Sequence, residues 1–419
     1  MENQKQSKIA ILGCGPAGIV TAIGLSKMGY KVCVIANIRP HNVTEGISER
    51  VFQALTTLGL QHTLKEISSP IPRSVSWNGV HSAANTERLI RRVSFDNALL
   101  KDLADANIPF YNETIIKVET HLSSCLIICK SGKSFHTDFV VEARGRAAPL
   151  SKNSHIRGVD SLSICQNWQT SNVDLMSPEA IAISIESGWL WLANNGQGNI
   201  FTQVSVSAKS NTGSAKEKLS TFIHKLVLSR PELAHITPFI EPEGKVLARS
   251  STPLFNKHPI KDRLLCVGDA AMSGDPLSGS GIFLSLSAAL IAPVVINTLL
   301  NKPQNKALAE TFYFDRLHHL FYRFCRVGRD FYKMESRWQE HPFWQERCAW
   351  PDQQVAHQEK DRLIGVAKRP VVNNGFIEEK EVVITSDQPL GIWKINNKNA
   401  IDVLSDQLKK LNLFKPSSG

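Results

Sequence analysis

The 419-residue chain lacks the features that would take it out of the ordinary globular class. It contains no uninterrupted apolar run of the roughly 18 residues that a membrane span requires, so no membrane association is expected. The leading residues Met1-Glu2-Asn3-Gln4-Lys5-Gln6-Ser7-Lys8 are polar, and no secretory leader is read there. Cysteines number eight (14, 33, 125, 129, 165, 266, 325 and 348), scattered through apolar runs with no zinc-site spacing. That pattern excludes a disulfide framework and predicts buried thiols in a reducing cytoplasm, with no metal site. Cys125 and Cys129 fall four apart on a predicted strand, hence on one face. There is no internal repeat. Lys and Arg outnumber Asp and Glu, 48 to 38, for a net charge of +10, yet no basic tract extends beyond Arg91-Arg92. A diffusely basic surface is expected, with no nucleic-acid partner.

What the chain does have is glycine in two places where backbone must come close to something. The first follows the apolar strand Ile9-Ala10-Ile11-Leu12. It reads Gly13-Cys14-Gly15-Pro16-Ala17-Gly18 and runs into a helical stretch from Ile19 to Met28, then a second buried strand at Lys31-Val32-Cys33-Val34-Ile35. A GxGxxG turn between a strand and a helix is the dinucleotide fingerprint. Gly13 permits the turn, Gly15 lets backbone approach a pyrophosphate, and Gly18 lets helix and strand pack. The N–H groups around Pro16 and Ala17 and the helix dipole would then hold the phosphates. The acidic residue that ordinarily ends the second strand and binds the ribose is missing. Ala36-Asn37 stands there, leaving Asn37 and Arg39 as alternatives.

The second place is Gly268-Asp269-Ala270-Ala271-Met272-Ser273-Gly274-Asp275-Pro276-Leu277-Ser278-Gly279-Ser280-Gly281, between the strand Leu264-Leu265-Cys266-Val267 and an apolar helix beginning at Ile282. A distant Gly-Asp pair of this kind suits a flavin dinucleotide. Asp269 would accept a hydrogen bond from a hydroxyl of the ribityl chain, and Asp275-Pro276 would turn beside the isoalloxazine ring. Amides of Gly279, Ser280 and Gly281 would face the negative charge of the reduced ring. The cofactor implied is FAD.

Two further segments carry a family resemblance. Arg92-Val93-Ser94-Phe95-Asp96-Asn97-Ala98-Leu99-Leu100 resembles the "R..FD..L" helix of FAD-dependent aromatic hydroxylases and halogenases. Phe139-Val140-Val141-Glu142-Ala143-Arg144-Gly145-Arg146 resembles their "vvdAtGr" strand, with Arg144 where threonine is usual. With both glycine turns these follow the order of the para-hydroxybenzoate hydroxylase/halogenase superfamily. The resemblance implies an α/β fold, with a Rossmann-type FAD-binding domain (1–70, 86–157 and 256–300) interleaved with a β-rich substrate domain (71–85 and 158–255). C-terminal helices (301–350) and a small polar module (351–419) would follow. It also makes Arg92, Gly145 and Ile282 cofactor-binding candidates, beside Gly13, Gly15, Pro16, Ala17, Gly18, Gly268, Asp269 and Gly281. Alternation at 180–185 and 200–206 fits strands of the substrate sheet, and 215–229 reads as a helix.

Gly188-Trp189-Leu190-Trp191-Leu192 is similar to the W-x-W-x-I-P strand of flavin-dependent halogenases, but Ala193-Asn194 replaces Ile-Pro. The lysine those enzymes need is missing between Lys65 and Trp77, so halogenation is not expected. Trp189 and Trp191 share a face and are assigned to sandwich packing. The aromatic, arginine-rich stretch 311–348, with Arg73-Ser74-Val75-Ser76-Trp77-Asn78-Gly79, resembles flavoproteins that mature the tryptophylquinone cofactors of lysine ε-oxidase and glycine oxidase-type quinoproteins. That resemblance implies a monooxygenase that hydroxylates a tryptophan of a partner precursor protein, a step in cysteine tryptophylquinone biogenesis. It would use molecular oxygen and electrons from NAD(P)H or a separate flavin reductase. Pro276 and the Gly279, Ser280 and Gly281 amides would lie nearest the reacting ring edge; no acid or base is assigned. The alternatives are a hydroxylase of a small aromatic and a non-catalytic flavin-containing maturation chaperone. Phe314, Phe321, Phe324, Phe331 and Trp338 are assigned to core packing, and His318-His319 to helix surface. Arg337, Arg347 and the 351–419 module are the expected recognition surface.

Overall fold

The computed structural model describes residues 7–151, 154–170, 172, 177–209, 216–358 and 360–411. The polar lead-in at 1–6 and Ala215, the expected start of a helix, lie outside the described residues.

The glycine turns follow two inner strands of a six-stranded sheet. In spatial order its strands are Ile260–Lys261, Leu264–Cys266, Phe139–Glu142, Lys8–Leu12, Lys31–Ala36 and Phe110–Asn112. All pairings are parallel except the short hairpin at 260–266. Ile9 to Leu12 and Phe139 to Val141 are buried on both faces, as continuous apolar strands must be when helices cover both sides. Helix Pro16–Lys27 lies against helix Gly281–Asn301. A Cβ on Gly24 would come within 2.7 Å of the Pro293 ring, so the two helices touch at near-backbone distance. Helix Gly281–Asn301 is long and apolar enough to cross a membrane, contrary to the expectation from uninterrupted runs alone. More than half of its apolar window (56 %) is buried, which makes it the helix of a protein core.

The second layer is an eight-stranded sheet in the order Glu241–Ser250, Ser161–Gln169, Asn199–Ser207, Gly188–Asn194, Glu179–Ile185, Ile71–Trp77, Val80–Arg91 and Thr44–Ile47. It crosses the expected domain boundaries twice. Thr44–Ile47, expected within the nucleotide-binding layer, pairs with Val80–Arg91, which itself runs past residue 85. Backbone pairing between segments distant in the chain decides this, and local composition carries no trace of it. One face of the sheet packs Ile164, Ile181, Ile183, Leu190, Leu192, Val204 and Val206 against helix Lys216–Leu228.

Helix Lys306–Lys333 buries a stripe of Tyr313, Leu317, Phe321, Cys325, Gly328, Arg329 and Tyr332. That stripe corrects the expected aromatic one. Phe321 is buried, Phe314, Phe324 and Trp338 are half-buried, and Phe331 is 46 % exposed, because Tyr332 takes the inward position at the helix end. The C-terminal module is also more than an appendage. Hairpin Leu363–Asn373 with Phe376–Thr385 inserts Ile377 into the main core, where its N–H donates to Thr298 Oγ1.

Candidate active site

The two glycine turns meet because each glycine removes a particular clash. Gly13 has φ +125°, and a Cβ there would lie 2.3 Å from the Ala143 carbonyl oxygen. A Cβ on Gly18 would lie 2.1 Å from the Gly13 carbonyl oxygen. Gly268 has φ +59° and would press a Cβ to 2.8 Å from Ala17, so the second turn rests directly on the helix begun by the first. Gly15 and Gly281 are different. A Cβ on Gly15 would meet only Arg92 Nη2, at 4.0 Å, and one on Gly281 nothing within 4 Å. Each begins a helix whose first turn has no side-chain cap. Two helix N-termini with bare N–H groups thus open onto space that the chain leaves clear of side chains. Ile282 and Ala17 are buried beside these turns, leaving their main chain as the part that can bind.

Charge gathers around this cleft. Arg92, 7 % exposed, donates to Glu45 Oε1 at 2.8 Å and forks onto Asp96 at 3.0–3.2 Å. Burial disfavours its charge, but Glu45 and Asp96 overcome that and push its pKa up. Arg39 reaches the same Asp96 at 3.1 Å, and Asn37 Nδ2 donates to Thr114 Oγ1. Both candidates for the ribose position are exposed at the end of the second strand. Gly145, at φ +74°, precedes Arg146, whose guanidinium donates to Ser273 Oγ and the Thr252 carbonyl. Arg144, in the unusual position, forks onto the fully buried Glu142. Burial pushes the Asp269 carboxyl up, against the pull of Arg146, and among the described residues no donor reaches it.

The turn from Asp275 to Gly281 is held from outside chiefly by Tyr332, which the sequence did not single out. Asp275 Oδ1 accepts from Leu277 N–H at 2.9 Å and from Tyr332 O–H at 3.0 Å. Tyr332 O in turn accepts from Trp189 Nε1 at 3.1 Å. Burial pushes the Asp275 carboxyl up, opposed by Arg347, by the Leu277 N–H and by Tyr332. Pro276 begins a single helical turn, Ser278 and Ser280 share a hydrogen bond at 2.6 Å, and Gly279 closes the turn at φ +58°. Leu277 packs on the cluster of Trp77, Trp189, Tyr332, Phe343 and Trp344, to which Trp191 also belongs. Nothing local marks Tyr332; only its helical spacing, seven residues past Cys325 and eleven past Phe321, could have shown that it faces inward.

Of the two expected recognition arginines, Arg347 is inside and Arg337 keeps an exposed side chain. Arg347 is 2 % exposed and donates to Phe343 O, Asp160 O and Ser161 Oγ. Arg337 forks onto Glu335, which is fully buried, and reaches Ser184 Oγ at 2.8 Å. Burial opposes the Glu335 charge, yet N–H donors from Arg337 and Asn78 hold its carboxyl at about 2. Arg347, read as surface by residue type, is turned by packing into a strut, whereas Arg337 stays at the surface and is tied down by Glu335.

The model of the tryptophan halogenase protein family matches residues 90–379, and that of the lycopene cyclase proteins matches 8–168. The tryptophan 2-halogenase of Chondromyces crocatus is 22 % identical over 397 residues, covering 86 % of this chain and 73 % of that protein. Among solved structures, the peptidyl tryptophan dihydroxylase QhpG, essential for tryptophylquinone cofactor biogenesis, superposes with a TM-score of 0.84 at 37 % identity, over 98 % of this chain and 94 % of that one. The flavin-dependent halogenase CmlS shares the fold, with a TM-score of 0.79 at 15 % identity over 98 % and 93 %.

Proposed function

The chain belongs to the tryptophan halogenase family, and we propose that within it this protein is an FAD-dependent monooxygenase that dihydroxylates a tryptophan of a precursor protein during biogenesis of a tryptophylquinone cofactor. The observation that carries the reading is the whole-chain similarity to a peptidyl tryptophan dihydroxylase at 37 % identity, in a chain whose two glycine turns share one cleft.

The cleft suits FAD. Gly15 and Gly281 leave open the space that backbone N–H groups need to reach a pyrophosphate and a ring edge. Asp269, drawn on by Arg146 but hydrogen-bonded to none of the described residues, offers its carboxylate to a ribityl hydroxyl. Bound and reduced, FAD supplies the activation of molecular oxygen. The protein supplies the rest. Main-chain N–H groups of Gly15, Ala17 and Gly18 hold the phosphates, beside the Arg92 and Arg39 guanidiniums that Glu45 and Asp96 fix in place. The first-turn N–H groups of helix Gly281–Asn301 favour negative charge at the ring edge. Asp275, held by Tyr332, fixes the turn above it. Leu277, packed on the aromatic cluster of Trp77, Trp189, Tyr332, Phe343 and Trp344, keeps water from the reacting edge. Electrons come from NAD(P)H or a separate flavin reductase. The eight free cysteines, dispersed and buried or half-buried, suit a reducing compartment and support a cytoplasmic site of action.

The test is mass spectrometry of the tryptophan-bearing precursor of a quinone-cofactor oxidase, incubated with the FAD-loaded protein, reductant and oxygen. Gain of two oxygen atoms on the tryptophan is expected; a precursor left unmodified overturns the reading. In parallel, Gly15→Val should abolish FAD uptake by calorimetry while the melting temperature of the FAD-free protein stays near wild type, since a side chain there meets open space.

A further inference from the structure

The large sheet has a second face, opposite the one closed by helix Lys216–Leu228. Ser163 pairs directly with Ser205, and Ser205 with Trp189; Gln203 pairs with Trp191 on one side and Cys165 on the other. Directly paired residues share a face, with Cβ atoms about 5 Å apart. Ser163 and Ser205 are 7 % and 1 % exposed, and among the described residues neither hydroxyl has a hydrogen-bond partner. Buried polar groups are nearly always satisfied, so two orphans in direct apposition call for an explanation. The face they share is turned to the nucleotide-binding half. Trp189 reaches the Asp275 turn through Tyr332, Leu277 packs on the aromatic cluster that holds Trp189, and Asn167 Nδ2 donates to the Asn42 carbonyl.

We propose that the Ser163 and Ser205 hydroxyls form the polar floor of the substrate pocket and bind the singly hydroxylated indole, holding it for the second oxygenation. The proposal rests on the peptidyl-tryptophan reading above. Each oxygenation inserts one atom of O2 into a ring C–H and releases the other as water, taking two electrons from the reduced flavin and two protons. An unmodified indole offers the pocket a single polar atom, its N–H. After one oxygenation it offers a hydroxyl as well, which both donates and accepts. Two serine hydroxyls side by side can meet both groups, while Trp189 and Trp191 border the apolar ring. The floor therefore favours the singly oxygenated ring over the starting one, and the intermediate stays until it is oxygenated again.

The experiment uses the full-length FAD-loaded protein and its Ser163→Ala, Ser205→Ala and doubly substituted forms. Binding of N-acetyltryptophanamide and its four ring-hydroxylated forms is followed by the flavin absorbance. The wild type should prefer one hydroxylated form, each serine contributing about fivefold, as one net hydrogen bond does; the double variant should lose that preference. With the precursor, the double variant should accumulate the singly hydroxylated tryptophan where the wild type completes both steps. Melting temperatures should hold or rise, because an orphan hydroxyl is being removed. If the wild type dihydroxylates and the double variant keeps both its hydroxyl preference and its product ratio, the inference falls and the functional reading stands. A parallel drop in melting temperature and FAD content would make the serines structural and also overturn it. If the wild type modifies no tryptophan, the reading fails and takes the inference with it.

Discussion

The two faces of the eight-stranded sheet are made by the same strands from alternate residues, and they differ in what they leave unfinished. On the face toward helix Lys216–Leu228, Leu190, Leu192, Val204 and Ile164 interlock with Ile223 and Val227, all fully or almost fully buried. On the other, Trp189, Ser205, Ser163 and Cys165 are buried or half-buried, yet two of their hydroxyls have no partner among the described residues. One face is closed by dispersion and the hydrophobic effect and asks for nothing more. The other is held from its rim, by Tyr332, Glu335–Arg337 and Arg347, so that its centre can stay polar. A strand with period two can serve a core and a site together, each without compromising the other.

The largest way to test that division is to damage the closed face. Leu192→Ala should cost about 3 kcal/mol of stability, within the range for buried leucines, read as the denaturation midpoint, while FAD content per folded molecule stays unchanged. If FAD is lost with little change in stability, the two faces are not independent.

A smaller effect is expected at the rim. Glu335→Gln removes the charge and one of the two oxygens that accept from Arg337 and Asn78, and should cost about 1–3 kcal/mol. It should also remove a pH dependence. The Glu335 carboxyl sits at about 2 when folded, against 4.5 ordinarily. Its contribution is therefore fully present above about 4.5 and drains away as pH falls toward 2. Melting temperatures across that window should fall less steeply for the variant than for the wild type.

The smallest change is at the flavin-side turn. Tyr332→Phe keeps the ring packed among Phe343 and Trp344 but deletes one donor to Asp275, at a cost of about 1 kcal/mol. Asp275 has the opposite sign to Glu335. Its folded pKa is raised by burial, so its charge costs stability at neutral pH, and that cost is relieved as pH falls through the folded value. Without Tyr332 the relief should begin at a higher pH, seen as an upward shift in the pH at which the melting temperature starts to gain. The shift should be absent when Asp275→Asn is also present; if it persists there, Asp275 is not the group that Tyr332 holds.

Much of the cleft was legible because its demands are local. Gly13, Gly18 and Gly268 answer to backbone conformation and close approach within a few residues, and the strand–turn–helix context marks them without any knowledge of the rest of the chain. The Trp189–Tyr332–Asp275 link was not legible, since its members come from a strand, the end of a helix and a turn that only packing brings together. Arg347 and Phe331 were misjudged for one reason. Residue type predicts average burial, and near a helix end the last turn decides which side chain goes in.

The sequence by itself determined the two nucleotide-facing turns, the α/β class and the alternation that makes each strand of the large sheet two-faced, because these follow from steric rules acting over short stretches. Only the tertiary structure decided that Thr44–Ile47 extends the large sheet, that Ile377 completes the main core, and that Ser163 lies opposite Ser205, itself paired with Trp189. Register and long-range pairing are chosen by the burial of the whole face at once, and no single stretch of sequence contains that sum.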